Sequence, residues 1–239
     1  MKAATVVFDY DDKDRYERLL DVFLESIREN SPAVEPVVIR MPAPMERRAN
    51  IGFTSNHHKF KAWLEFAREQ VDPFVLMDCD MIVTGNLADA FAYDFDIGIT
   101  RRTKANWPYN GGVVFVKPTA EAIAFIEAWA EADARMYADS TFHQTWRNVY
   151  KGMNQASLGY TLEENNPGAK VRDFPCAIWN ACNEDWAKIT DATRVIHVKS
   201  NLRKAVLGEA GPYMPSKLHA AVRIFKRYEA QARKRKGSV

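Results

Sequence analysis

Short apolar runs and longer amphipathic stretches alternate along the chain, and before residue 41 they read strand, helix, strand. Residues 3–8 are an apolar run of strand length that ends in Asp9-Tyr10-Asp11-Asp12. Tyr16, Leu19, Leu20, Phe23, Leu24 and Ile27 then recur at three- and four-residue spacing, which predicts an amphipathic helix ending near Asn30-Ser31-Pro32. Pro36–Arg40 is a second apolar run, so the opening unit is that of a parallel α/β sheet. Residues 41–56, rich in Pro, Arg and Asn, predict a loop, and residues 57–69 a helix with Phe60, Trp63, Leu64 and Ala67 inward. Residues 74–83 predict one buried strand, 86–91 a short helix and 95–100 another strand. Asn110-Gly111-Gly112 predicts a tight turn ahead of a strand over 113–116. Helices are predicted over 119–136, 140–150 and 217–235, a short strand near 169–174 in otherwise irregular chain, and a last strand over 195–198. No repeat, low-complexity linker or composition break divides this order, which predicts one α/β domain.

Composition narrows the class. With 239 residues, 47% hydrophobic and 27% charged, the chain can bury a real core and is neither fibrous nor disordered. No apolar stretch approaches the length of a membrane span, and the first residues are too short for a signal peptide, so a cytoplasmic location is expected. Cys79, Cys176 and Cys182 are odd in number and lack a zinc spacing, which argues against a disulfide framework or a zinc site.

Charge adds an asymmetry that the net value of +2 hides. Residues 217–239 hold eight Lys/Arg and one acidic residue, a balance of +7, which leaves −5 for residues 1–216. Leu218, Ala221, Val222, Phe225 and Tyr228 share one face of the predicted last helix, and Arg223, Lys226, Arg227, Arg233 and Lys234 lie largely away from it. We therefore set a body of residues 1–216 apart from a basic amphipathic segment, residues 217–239. That helix either docks on the body with a solvated outer face or recruits the protein through residues 217–236 to a polyanion. An anionic membrane surface, which would make the protein peripheral to a membrane, and DNA are the two polyanions in view.

The candidate chemistry centres on Val75-Leu-Met-Asp78-Cys-Asp80-Met-Ile-Val83. Two carboxylates in an apolar run are costly without a cation, and in an extended backbone residues i and i+2 face the same way, so both can reach one ion. Oxygen ligands suit Mg²⁺ or Mn²⁺. The plainer alternative is a strand-end cap with a chance spacing. A second pair, Asp9 and Asp11, resembles the opening motif of haloacid-dehalogenase-like phosphatases, with Asp9 as nucleophile and Asp11 as general acid. Asp12 and Lys13 depart from that motif.

The first pair has company. Asp78-Cys-Asp80, Asn110-Gly111-Gly112, Asn154-Gln155 and Ile196-His197, in this order, resemble the landmarks of GT-A fold glycosyltransferases, in particular glycosyltransferase family 8, the glycogenin-like and lipopolysaccharide-galactosyltransferase-like group. The resemblance implies a Rossmann-like, mixed, mostly parallel sheet flanked by helices. It implies a hexosyltransferase moving sugar from a nucleotide sugar, UDP-linked by family precedent, to a hydroxyl acceptor with retention. Its ion, Mn²⁺ or Mg²⁺, falls to Asp78, Asp80 and His197. Nucleotide binding falls to Asp11, Asp14 and Tyr16, with the Tyr ring on the base, although Tyr16 also suits the apolar helix face. Donor binding falls to Lys59, Asn110, Gly111, Gly112, Arg203 and Lys204, and the reacting face to Gln155 and Asn154. Asn154 stands where the family has Asp, and Ser200 where it has Gly. The acceptor expected from the family is a saccharide or lipid-linked saccharide. Hydroxylated bases in DNA, as for some bacteriophage enzymes, and a non-catalytic nucleotide-sugar-binding module are the alternatives beside the phosphatase.

Overall fold

The computed structural model describes residues 1–10, 13–44, 51–105, 107–152, 154–211 and 213–237, save the side chains of residues 13, 14, 51 and 52. The first half runs β1 (Lys2–Asp9), α1 (Lys13–Asn30), β2 (Glu35–Pro42), α2 (Ile51–Arg68), β3 (Phe74–Met77), β4 (Met81–Val83), β5 (Ile97–Arg101) and β6 (Tyr109–Val116). The second half runs α3 (Ala120–Ala138), α4 (Ser140–Val149), α5 (Gln155–Glu164), β7 (Val171–Pro175), α6 (Cys176–Trp179), β8 (Val195–His197), α7 (Ser200–Leu207) and α8 (His219–Lys236).

Six strands form the main sheet in the order β2-β1-β3-β6-β5-β7. β1 pairs in parallel with β2 and β3, and β5 with β7, while β6 runs antiparallel to both of its neighbours. The expected mixed, mostly parallel sheet flanked by helices is thus borne out. Side-chain alternation sends the two faces of each strand to different cores. Phe60, Trp63, Leu76, Val114, Phe125 and Trp129 pack one face beneath α2 and α3. Phe23, Ile27, Val75, Phe115, Phe174 and Trp179 pack the other against α1. A third cluster joins α1 to α7 and α8 through Leu19, Val22, Ile196, Leu202, Phe225 and Tyr228.

Three predicted elements come out differently, each for a physical reason. Residues 74–83 are two strands rather than one. β3 stays in the main sheet, while β4 leaves it to pair antiparallel with β8 in a two-stranded sheet. The bend between them is Asp78-Cys79-Asp80, so the carboxylates converge through a turn of the backbone and not through strand alternation. Asn110-Gly111-Gly112 lies inside β6 instead of forming a turn. α2 begins at Ile51, well before the predicted start, because its early inward positions are Thr54 and His57, buried polar residues that a hydrophobic pattern does not register.

The basic last helix is docked. Val222, Phe225 and Tyr228 are buried in the third core, and Lys236, Arg235 and Arg227 pair with Asp21, Glu25 and Glu29 on α1. No helix among the described residues is long and apolar enough to cross a membrane.

Candidate active site

A cleft of ≈ 670 Å³ opens where the carboxyl ends of β1 and β3 meet the start of β6 and the end of β8. The carboxyl ends of parallel strands are where open α/β sheets bind ligands. Val6, Val7, Phe8 and Tyr10 of the first strand and its end, Asp78 and Asp80, and Asn154 and Gln155 all line it.

Main-chain bonds set the carboxylate pair. The Asp78 N–H donates to the Gly112 carbonyl at 2.9 Å, and the Val198 N–H donates to the Asp80 carbonyl at 2.7 Å. Pairing of β4 with β8 puts His197 opposite Met81. One ligand atom each from Asp78, Asp80 and His197 then lie within 4.8 Å of one another. Nε2 of His197 stands 3.4 Å from Oδ1 of Asp80 and 3.8 Å from Oδ2 of Asp78.

Fixed cations take the remaining carboxylate oxygens. Lys59 Nζ donates to Oδ1 of Asp78 at 2.6 Å, and the Arg203 guanidinium donates to Oδ2 of Asp80. Burial pushes the Asp80 carboxyl up, but the charges beside it, His197 when its ring is protonated and the Arg203 guanidinium, outweigh it and hold Asp80 well below the usual carboxylate range. Asp80 in turn pushes Arg203 above its ordinary value. Gly112 keeps the space between Asp78 and His197 open. A Cβ there would lie 2.9 Å from Oδ2 of Asp78 and 2.9 Å from Cε1 of His197. Two hard oxygens and one imidazole nitrogen, turned toward one another, are a donor set that suits Mn²⁺ or Mg²⁺.

Most of the predicted site residues come together. Tyr16 lines the cleft beside Tyr10, ring centroids 6.1 Å apart, with the Arg203 guanidinium 6.0 Å from its own ring centre. Burial raises the Tyr16 hydroxyl above its ordinary value. Asn110 and Gly112 line the cleft, and Gln155 opens α5. Gly152, at φ +120°, gives Gln155 its room, since a Cβ there would overlap the Gln155 amide.

Others do not reach the cleft. Gly111 faces the core, where a Cβ would meet Trp129 at 3.1 Å. Lys204 is exposed and borders a separate hollow with Glu209 and Tyr213, because one residue along a helix turns the side chain about 100° away from Arg203. Asp14 lies in the first turn of α1, with its side chain outside the described residues, as is all of Asp11. Asp9, the phosphatase nucleophile of the alternative reading, is exposed beside Arg40 and does not line the cleft.

Sequence reasoning passed over Tyr10, Ser55, Asn56 and Lys199, which line the cleft, and Asn180 behind His197. Lys199 follows His197 by two residues, and that proximity was the available signal. Of three tryptophans near the motifs, Trp107 lines the cleft, while Trp179, at the end of α6, and Trp186 are buried in the cores.

Fold and cleft together define a class, the GT-A glycosyltransferases. The family model for nucleotide-diphospho-sugar transferases matches residues 53–204, more than half of the chain, and the protein belongs to that family. The fold is shared with a glycosyltransferase involved in glycosylation of the major capsid of PBCV-1, at TM-score 0.62 and 10% identity over 86% of this chain and 96% of that one. It is shared with GlyE of Streptococcus pneumoniae TIGR4 at TM-score 0.58 and 13% identity, over 95% of this chain but 60% of the longer GlyE chain. The galactosyltransferase LgtC, solved with donor and acceptor sugar analogs, aligns at TM-score 0.55 and 13% identity over 97% of this chain and 96% of its own. No curated protein matches by sequence. The protein is an enzyme, a glycosyltransferase, and the motif-based resemblance is borne out.

Proposed function

We propose that the enzyme moves a sugar from a UDP-linked donor to a hydroxyl of a saccharide or lipid-linked saccharide, with Mn²⁺ or Mg²⁺ held by Asp78, Asp80 and His197. The observation that carries this is the three-atom cluster, framed by Lys59 and Arg203 and opening into the cleft. When bound, the ion supplies positive charge to the departing diphosphate. Lys199 and Arg203, beside the start of α7, face the same negative charge. Tyr16 offers its ring to the base, with Asp14 two residues before it in the sequence, and Asn110, Asn154 and Gln155 offer polar groups to the donor sugar.

Family resemblance supports retention. Among the described residues that line the cleft the carboxylates are Asp78 and Asp80, both engaged by cations, and Asn154 cannot serve as a carboxylate nucleophile. LgtC, solved with an acceptor sugar analog, supports a saccharide acceptor. We assign transfer to residues 1–216, with residues 217–239 as a docked C-terminal segment, and place the reaction in the cytoplasm.

The test is UDP release from a panel of UDP-sugars with Mn²⁺, with and without saccharide acceptors. Release should require the metal and disappear in Asp80→Asn. Release that survives both EDTA and Asp80→Asn would overturn the metal site, and turnover of other nucleotide sugars alone would overturn the UDP assignment.

A further inference from the structure

The hydrogen bonds behind His197 can be followed donor by donor from an atom that can only accept. The Asn110 carbonyl oxygen accepts from the Thr100 hydroxyl at 2.6 Å. With its proton committed, Thr100 Oγ1 accepts from Nδ2 of Asn180 at 2.9 Å, and that amide also reaches the Asn110 carbonyl at 3.5 Å. The Asn180 amide cannot be turned over without facing its oxygen to that carbonyl. Its Oδ1 therefore faces Nδ1 of His197 at 3.0 Å, where it can only accept. The ring proton must then sit on Nδ1, and the lone pair of Nε2 points at the Asp78 and Asp80 carboxylates.

Thr100 and Asn180 are wholly buried, so no bulk water substitutes for a missing partner. Local structure holds both in place. The register between β5 and β6 shifts between Ile99 and Thr100, which sets Thr100 opposite Asn110. The Asn180 backbone N–H closes α6 on the Cys176 carbonyl at 2.9 Å.

We propose that Asn180 and Thr100 are positioning residues that select the Nδ1–H tautomer of His197 and so make Nε2 a metal ligand. The inference rests on the metal site proposed above. In the other tautomer Nε2 would direct a proton at the carboxylates and compete with the ion. Removing a partner that orients a metal-ligating imidazole in this way changes metal affinity by roughly 10- to 100-fold.

Two readouts test it, with thermal melting as the control for folding. The first is ¹⁵N NMR of the imidazole in metal-free protein, at a pH high enough to read the neutral ring. His197 should be the Nδ1–H form in the wild type and a mixture in Asn180→Ala. Thr100→Val, which keeps the shape and leaves the Asn110 carbonyl as the one acceptor holding the Asn180 amide, should shift the same equilibrium in the same direction but less far. The second is Mn²⁺ binding by electron paramagnetic resonance. Asn180→Ala should bind about 10- to 100-fold more weakly. Asn180→Asp, which keeps the acceptor, should stay within a few-fold of the wild type. A wild-type His197 in the Nε2–H form overturns the inference whatever the activity, as does equal Mn²⁺ affinity in the Ala and Asp variants. The Nδ1–H form together with no Mn²⁺ binding overturns the metal reading while leaving the tautomer assignment intact.

Discussion

Lys59 is only 5% exposed, and its ammonium bonds Oδ1 of Asp78 at 2.6 Å while lying 4.2 Å from the centre of the Trp63 ring. A buried ammonium needs a counter-charge and a polarisable face, and it has both. The contact also aims the carboxylate, because holding Oδ1 turns Oδ2 toward His197. Lys59→Met keeps the volume but strands the carboxylate pair with less positive charge. Metal-free protein should lose on the order of 1–3 kcal/mol of stability, the usual cost of a buried polar partner left unmade. Saturating Mn²⁺ should restore part of that loss. Denaturation with and without Mn²⁺ checks both, and a loss that the ion does not reduce would separate Lys59 from the metal site.

Arg203 and Lys199 line the same part of the cleft, but Arg203 also bonds Asp80. Truncating Lys199 should therefore weaken UDP binding and spare Mn²⁺ binding, whereas Arg203→Ala, which frees an Asp80 oxygen and removes a like charge beside the ion, should weaken UDP binding and strengthen Mn²⁺ binding. A charge-assisted hydrogen bond is worth about 1.5–3 kcal/mol, or roughly 10- to 100-fold in UDP affinity. Calorimetric titration of each variant with Mn²⁺ and then UDP separates the two roles. Lys199→Ala binding UDP as the wild type does would remove Lys199 from the diphosphate site.

Strong periodicity made the frame legible. The helix face from Tyr16 to Ile27 and the apolar runs of β1 and β2 announce themselves locally. The carboxylate pair was legible as a metal site, but through a strand geometry that the backbone does not use. α5 was hidden because, apart from Leu158, its buried face is Ala156, Ser157, Gly159 and Thr161, small or polar residues that leave a weak apolar period. Lys204 could not be told from Arg203 until α7 existed to fix their phase. Asn180 was beyond local reading altogether. It is uncharged, sits between elements, and has its amide held by Thr100, 80 residues away in the chain.

Ser200 adopts φ +49° at the first residue of α7, the left-handed region that favours glycine. The family resemblance places Gly there, so the backbone keeps the shape while the residue departs from it. For a non-Gly residue this conformation costs about 1–2 kcal/mol, and Gly loses some of that gain to its freer unfolded chain. Ser200→Gly should stabilise the protein by about 0.5–1 kcal/mol, and Ser200→Val should destabilise it. Urea midpoints decide the matter. A Gly variant no more stable than the wild type would show that the Ser200 side chain compensates for its own strain.

α1 carries Asp21, Glu25 and Glu29 four residues apart, and α8 answers with Lys236, Arg235 and Arg227, while Arg18 on α1 holds Glu229. Arg233 pairs with Glu229 within α8, so much of the basic charge of the tail is already spoken for inside the molecule. The basic partner in most of these pairs is exposed, which screens and weakens them, whereas Phe225 is buried. Phe225→Ala should cost about 3–5 kcal/mol and Arg235→Ala much less. The pH dependence has a definite sign. The hydrogen bond from Arg235 outweighs burial and holds the Glu25 carboxyl below its ordinary 4.5. Its contribution is therefore complete above about pH 4.5 and disappears as the pH falls through the lower folded-state value. Glu25→Gln should flatten that acid limb, read as melting temperature against pH. The same interlock predicts little salt-sensitive binding to anionic vesicles or duplex DNA by the full-length protein. Binding that is strong at low salt and lost on deleting residues 229–239 would show instead that the tail leaves α1 to recruit a polyanion.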